Sequence, residues 1–494
     1  MRVLESLNPE RVFFYFEEIA GIPHGSGNTE EISAYLVRFA EEHDLRYRQD
    51  EMGNVIIWKA GLGDKAVIIQ GHMDMVCEKE AGCTKDMSKE ALDLYIDGEE
   101  IKAKGTTLGG DDGIAVAMAL ALLESEDKSL PPIEAIFTVD EEIGMLGAAT
   151  IDVSGITGRV MLNIDSEAEG IFTVSCAGGV VANASYNVGR ELIKAEASSS
   201  VYRLTVDGLI GGHSGIEIHK NRANAIVLLG RLLQRLRDET DIRIADITGG
   251  AKDNAIAVSA KATVVIKDTA FDPALAVKDF LSDIKGEYAT VDPDINVGIV
   301  KETVSYALAF DKDSTDKVIY MLCCLPNGIQ RMSPDVEGLV QTSLNMGILK
   351  TLSDKEVADK EKVVLTFCVR SSVSSEKRAL MSRLRDGMDM IGGTVEFAGD
   401  YPGWQYRVDS PLRETMKAVY ITQYHEEPVI EAVHAGVECG FFAAKLPGLD
   451  CVSIGPNLSE IHTFRESMNI PSVARTYELV LETLHHIASG KSLS

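Results

Sequence analysis

The chain has no apolar run long enough to cross a membrane, no Cys-x-x-Cys pair and little positive charge, and each lack removes a class of function. A spanning helix needs about 20 consecutive apolar residues, and the 494 residues contain no such stretch. The opening segment, MRVLESLNPERVFFYFEEIA, has neither the apolar core nor the small-residue cleavage site of a secretory signal. The eight cysteines are scattered, with only Cys323 and Cys324 adjacent. That is neither a disulfide framework nor a thiolate zinc site, and it fits reduced thiols in a cytoplasmic protein. Lys and Arg number 48 against 76 Asp and Glu, a formal charge of −28. A phosphate backbone needs a cationic surface, so a nucleic-acid partner is excluded. The acid surplus is open to partial neutralisation by bound metal.

What is present reads as a folded two-domain protein. Hydrophobic content of 45% and charged content of 25% are ordinary for a globular chain, and the length exceeds what one core holds. Asn8 is expected to cap a helix with Pro9 at its first position and Val12, Phe13, Phe16 and Ile19 on one face. A second helix is predicted from Thr29 to about His43. Strands follow at NVIIWKA and KAVIIQ, then a helix at IAVAMALALLE, then strands at IEAIFTV and RVMLNI. Apolar strands alternating with helices indicate an α/β sheet with helices on its faces.

Near Tyr186 the pattern changes. A strand at SVYRLTVDGL precedes GGHSG, a helix from about Arg222 to Arg237, and AIAVSAKATVVI, read as paired strands. KVVLTFCVRSS, a helix carrying Leu380, Leu384 and Met388, and the strand TVEFAG complete an α+β domain. After Pro402 the α/β texture returns, with a helix from Pro411, the run CVSIGP and a closing helix from about Val473 to Ser489. The expected organisation is therefore a catalytic domain in two parts, 1–186 and 401–494, with an inserted domain over 187–400.

Five places carry chemistry. QGHMDMVCEK ends a strand with His72 and Asp74, whose spacing puts both on one face; this suits a metal-binding His with an acid behind it, or a His merely satisfied by hydrogen bonds. TTLGGDDGIAVA places Asp111 and Asp112 in a Gly-rich turn opening a helix, as ligands or as plain caps. FTVDEEIG ends a buried strand in Asp140, Glu141 and Glu142, which repel one another unless a cation or water compensates. LNIDSEAEG ends another in Asp165, and SEIHTFRE puts His462 in a loop after CVSIGP. Acids and histidines gathered at strand ends are where α/β sheets assemble ligand sites. Two His with three or four carboxylates suit a pair of zinc-class ions that activate a water, provided one carboxylate stays unligated to take its proton.

These five motifs, in this order and spacing, resemble the aminoacyl-histidine dipeptidases, the Xaa-His dipeptidase branch of the di-zinc aminopeptidase and carboxypeptidase superfamily that also holds aminoacylases and succinyl-diaminopimelate desuccinylase. The resemblance covers essentially the whole chain, and HMDMV followed by Glu78 and Lys79 favours the dipeptidase branch. It implies that His72 and Asp165 bind one zinc, that Glu142 and His462 bind the other, and that Asp111 bridges them. Asp74 would orient His72, and Glu141 would be the general base. A cis peptide would join Asp111 to Asp112. Many cousins have Lys two positions after the bridging Asp, where this chain, like the dipeptidase branch, lacks it and has Gly113.

The inserted domain resembles that family's lid and dimerisation domain, which implies a homodimer and makes His213 of GGHSG a stabiliser of the tetrahedral oxyanion. Asn254 and Arg370 match positions that hold the substrate's backbone or terminal carboxylate; on residue type alone, Asn254 also reads as a turn and Arg370 as a surface ion pair. Glu438 matches a segment where an acid meets the substrate amino group, against a helix-capping or structural reading. The implied activity is hydrolysis of an unblocked dipeptide with a C-terminal His, including β-alanyl-histidine, using two Zn2+ with Mn2+ or Co2+ as substitutes. An aminoacylase-like removal of acyl groups from amino acids, and a non-catalytic binding protein of the same fold, are the alternative readings.

Overall fold

The computed structural model describes residues 2–194, 199–268, 270–304, 306–353 and 361–490. They form two compact units: residues 1–176, 403–432 and 437–494 make the first, and 177–402 with 433–436 make the second.

The first unit is built on an eight-stranded mixed sheet. At its centre Val67–His72 runs parallel to Ile133–Thr138 on one side and Val160–Asn163 on the other, and Asp450–Ser453 continues the parallel set. Every residue of Val67–His72 and Ile133–Thr138 is buried, as continuous apolar runs covered on both faces require. The helix Gly110–Glu124 is apolar almost all round, with Ile114 to Leu123 buried; such a helix belongs inside a core. Its neighbour Glu10–Ala20 buries Val12, Phe13, Phe16 and Ile19 in the same core. The expected Asn8 cap is not made: the Asn8–Pro9 bond is cis, Pro9 occupies the cap position, and the helix has no side-chain cap.

The second unit is an antiparallel sheet of nine strands. Its long strands Gly178–Val188, Val340–Ser353 and Glu361–Ser371 pair edge to edge. The helices Ala225–Glu239, Lys312–Cys324 and Ser374–Asp389 supply Leu229, Leu233, Ile319, Leu322, Leu380 and Leu384 to its core.

The second unit begins at 177, not 187, because Gly178–Val188 is a single strand that pairs along its length with Glu361–Ser371 and belongs wholly to this sheet. The short return at 433–436 joins it because the Ala177 N–H donates to the Val433 and Ala435 carbonyls. Within AIAVSAKATVVI only Ala260–Ile266 is strand, its partners being Ile242–Gly249 and Ser200–Asp207. Among the described residues no helix is long and apolar enough to cross a membrane.

Candidate active site

Three parallel strands deliver the first group of side chains. His72 is the last residue of Val67–His72; Asp140, Glu141 and Glu142 follow Ile133–Thr138; and Asp165 follows Val160–Asn163. All leave the same end of a parallel sheet, the end at which α/β proteins bind ligands. The strand passes close to the helix that carries Asp111: a Cβ at Gly71 would lie 2.5 Å from Ala115 Cβ and 2.6 Å from Asp112 Oδ2, so only glycine fits there.

The Asp111 carboxylate lies between two imidazoles. Its Oδ1 is 3.2 Å from His72 Nε2, and its Oδ2 is 3.1 Å from His462 Nε2. Each histidine faces a second acid, Asp165 Oδ1 at 3.7 Å from His72 and Glu142 Oε1 at 2.9 Å from His462. Donor atoms of His72, Asp112 and Asp165, of His72, Glu141 and Glu142, and of Asp111, Glu142 and His462 lie within 4.8 Å of one another in each set. Glu142 Oε1 is buried and, despite its closeness to His462, has no aligned hydrogen bond. Both histidines hydrogen-bond Asp111 while Glu142 Oε1 stays unpartnered, and nitrogen and oxygen donors that converge in this way fit a cation of the zinc class.

Electrostatics follow from this crowding. Burial opposes a charge on His72, but Asp111, Asp165 and Asp74 outweigh it and hold its pKa well above the ordinary imidazole value. Asp111 and Glu142 raise His462 to about 10. For Asp111, burial raises the pKa, but the two histidines prevail and lower it. Burial, reinforced by neighbouring acids, raises Asp165 and lifts Glu141 to about 9. These shifts describe an acid cluster that lacks positive charge, the deficit a divalent cation fills.

Around this set the chain supplies supports. His72 Nδ1 is 2.9 Å from the Asp74 backbone carbonyl, with the Asp74 carboxylate slightly farther at 3.5 Å. That leaves Nε2 facing Asp111 and Asp165. The Asp74 carboxylate accepts from Ser26 Oγ and from the Glu141 and Glu142 N–H groups. The Asp111–Asp112 peptide is cis. The capping reading of the pair fails, since Gly109 is the N-cap and no side chain caps the helix; Asp112 instead turns inward to accept from the His72 N–H at 3.1 Å.

Glu438 is fully buried. It precedes Cys439–Lys445 without making a cap bond, which removes the capping reading. Its Oε2 accepts from Gln70 Nε2 and Thr138 Oγ1, both at 2.6 Å, and its Oε1 has no partner. Burial lifts its pKa to about 7.

Three predicted residues belong to the second unit. His213 is half-buried, and its Nδ1 accepts from the Gly215 and Ile216 N–H groups at 3.2 Å each. A ring nitrogen that accepts cannot carry the proton, so the neutral ring has its N–H at Nε2. Burial and the Arg370 charge lower its pKa and keep it neutral. Arg370 is 7% exposed and makes no ion pair among the described residues, so it is not a surface pair; Nη1 donates to Tyr401 Oη at 3.2 Å, and Nε has no partner. Asn254 is exposed in a turn, where its carbonyl accepts from the Ser214 N–H at 2.8 Å.

Sequence reasoning passed over several participants. Glu466, inside the quoted SEIHTFRE, accepts from the backbone ahead of Asp111. His434, in HAGVECG, is buried with its Nε2 2.7 Å from Ser343 Oγ. Gln70 and Thr138 hold Glu438 from strands read only as core. Each sits within or beside a motif already singled out, which was the available signal. Of the other histidines, His219 is exposed in a single 3-10 turn, His485 pairs with Asp127, and His24 is buried with its Nε2 unpartnered.

The chain is similar to known proteins in sequence and in fold. The chain is 35% identical over 493 residues, 99% of each sequence, to the cytosol non-specific dipeptidase of Escherichia coli (strain K12). The crystal structure of aminoacylhistidine dipeptidase from Vibrio alginolyticus superposes with a TM-score of 0.91 at 35% identity, covering 97% of each chain. An aminopeptidase from Bacillus cereus, at 17% identity and a TM-score of 0.55 over 98% of this chain and 99% of its own, shares the fold alone. Residues 68–486 match the model of Peptidase family M20/M25/M40, a span from the strand before His72 to the closing helix that encloses the whole acid and histidine cluster. With that span and a full-length relative in hand, the chain belongs to peptidase family M20/M25/M40 and is a hydrolase acting on peptide bonds.

Proposed function

We propose that the chain is a metal-dependent dipeptidase that cleaves unblocked dipeptides, Xaa-His and β-alanyl-histidine among them. The observation that carries this reading is the Asp111 carboxylate, which offers one oxygen to His72 and the other to His462 while each histidine faces a second acid. Asp165 and His72 would hold one zinc ion and Glu142 and His462 the other, with Asp111 shared. When bound, such ions supply Lewis-acid polarisation of a carbonyl and acidify a water.

The chain's own residues do the rest. Glu141 takes the proton of the attacking water and hands it to the departing amine, a role open to the carboxylate once bound cations offset the crowding of acids around it. Asp74 fixes the Glu141 backbone and the His72 ring. Glu438, with one unpartnered buried oxygen, receives the substrate's amino group. His213 donates its Nε2–H to the developing oxyanion, the role its tautomer suits. Arg370 receives the terminal carboxylate through its fork, and Asn254 the substrate's main chain. The second unit acts as lid and homodimer contact, and the site of action is the cytoplasm.

The test is a hydrolysis panel: Xaa-His dipeptides including β-alanyl-histidine, dipeptides lacking His, tripeptides, and N-acyl amino acids, run with zinc, manganese or cobalt and after chelation. Chelator-sensitive cleavage of dipeptides, fastest with C-terminal His, is the expected result. Comparable rates on all dipeptides would remove the His preference, and cleavage of N-acyl amino acids alone would replace the dipeptidase reading with a deacylase. No turnover with any metal would leave a binding protein.

A further inference from the structure

Glu466 makes a contact to which no motif assigns a role. Its side chain is 3% exposed. Its Oε2 accepts from the N–H groups of Leu108 at 2.8 Å and Gly109 at 3.0 Å, and its Oε1 from Gly110 at 2.8 Å and Asp111 at 3.3 Å. Four consecutive backbone donors thus fold around one carboxylate, which when ionised only accepts. The wrapping needs glycine: Gly109 has φ +71°, and a Cβ on Gly110 would come 3.2 Å from Glu466 Oε1 and 3.1 Å from Leu458. Leu108 and Gly109 precede the helix at Gly110, so the acid orders the approach to that helix as well as its first turn.

The other end of Glu466 is equally tied. It follows His462 by four positions in the same loop. Its N–H donates to the Thr463 carbonyl at 3.1 Å, and Thr463 Oγ1 donates to the Glu460 carbonyl at 2.8 Å. The next residue opens Ser467–Asn469, which pairs with Glu100–Ala103. One side chain therefore joins the loop that presents His462 to the backbone of Asp111.

We propose that Glu466 is a positioning residue of the metal centre, fixing the Asp111 backbone against the His462 loop so that each Asp111 oxygen meets its own histidine. This rests on the reading of Asp111 as the shared ligand. Outer partners of metal ligands govern affinity by holding ligand orientation, and their loss typically costs about 10–100-fold.

Zinc titration of chelated protein by calorimetry, with the visible spectrum of the cobalt(II)-loaded form, tests the proposal on Glu466→Gln. Gln keeps the volume but turns an NH2 group toward backbone N–H donors. The expected result is a loss of about 10–100-fold in affinity for at least one of two ions, with altered cobalt bands. Affinity within twofold of the parent and an unchanged spectrum would overturn it, whatever happens to the unfolding temperature, because a merely structural role moves only the latter. Gly110→Ala, which presses on the same loop without removing a charge, decides the matter if Glu466→Gln does not fold; it is expected to weaken zinc binding, and parental affinity would overturn the proposal. Asp111→Ala separates the two readings. If that variant keeps both ions at parental affinity, the shared-ligand assignment itself fails.

Discussion

The Asp74 carboxylate accepts a hydrogen bond from the Glu141 backbone N–H at 3.0 Å. Asp74 is thereby more than an acid behind His72, since the same group holds the turn that presents Glu141 and Glu142. Removing it leaves the half-buried Glu141 and Glu142 N–H groups without this acceptor and takes the shorter of its two bonds from the Ser26 hydroxyl. Asp74→Ala is expected to lower kcat by about 100-fold or more while weakening zinc by about 10–100-fold. Steady-state kinetics with metal analysis on the same sample checks both. A fall in metal affinity alone, with kcat restored at saturating zinc, would confine Asp74 to the histidine.

Glu141 and Glu142 are adjacent but differ in surroundings. His462 is 2.9 Å from Glu142, whereas burial dominates at Glu141. Glu141→Gln is expected to keep two ions per chain and lose about 10²–10⁴ in kcat, the range for a general base. Metal analysis and dipeptide turnover measure it, and turnover near the parental value would reassign the base.

At Glu438 the expected loss is in binding. Glu438→Gln keeps the contacts with Gln70 and Thr138 in size but removes the charge that would meet an ammonium group. A charge-assisted hydrogen bond contributes about 1.5–3 kcal/mol, so KM for a free dipeptide should rise about 10–100-fold with a smaller change in kcat. An unchanged KM would return Glu438 to a structural role.

His434 predicts a pH dependence of stability. It is 6% exposed, and burial, with the Arg370 charge adding to it, lowers its pKa to about 3. The unfolded chain, with an imidazole near 6.5, takes up a proton first as pH falls. The destabilisation is therefore absent above about 6.5 and grows between 6.5 and 3 at about 1.4 kcal/mol per pH unit. Compared with His434→Gln, which can still hydrogen-bond Ser343, the parent should lose about 2 kcal/mol more between pH 7 and pH 5. Urea unfolding at the two pH values reads this, and an equal loss in both proteins would mean that the ring is charged or exposed.

The sequence shows the parts of this fold that repeat a simple period. Continuous apolar runs mark Val67–His72, Ile133–Thr138 and Val160–Asn163, and acids at their ends mark the cluster. Periodicity says nothing of how far a strand's pairing extends, and because Gly178–Val188 pairs along its length with Glu361–Ser371 the second unit starts at 177 and not at 187. Asn8 has a capping side chain and a following proline, but Pro9 takes the cap position and no side chain caps the helix. The helices Pro273–Tyr288 and Lys312–Cys324 and the strand Asn296–Glu302 were not singled out. Glu466 and His434 escaped notice for a different reason. Their partners are backbone groups or a serine far away in sequence, and only folding brings such pairs together.

The most direct test of the two-ion site is to strip the protein with chelator and follow dipeptide turnover and bound metal together as zinc is added back. Turnover should be absent in the stripped protein and rise to a plateau at two ions per chain, as expected when Asp111 is shared between His72 and His462. Full turnover with no metal bound, or a plateau reached at one ion with the second never binding, would contradict the shared-ligand centre.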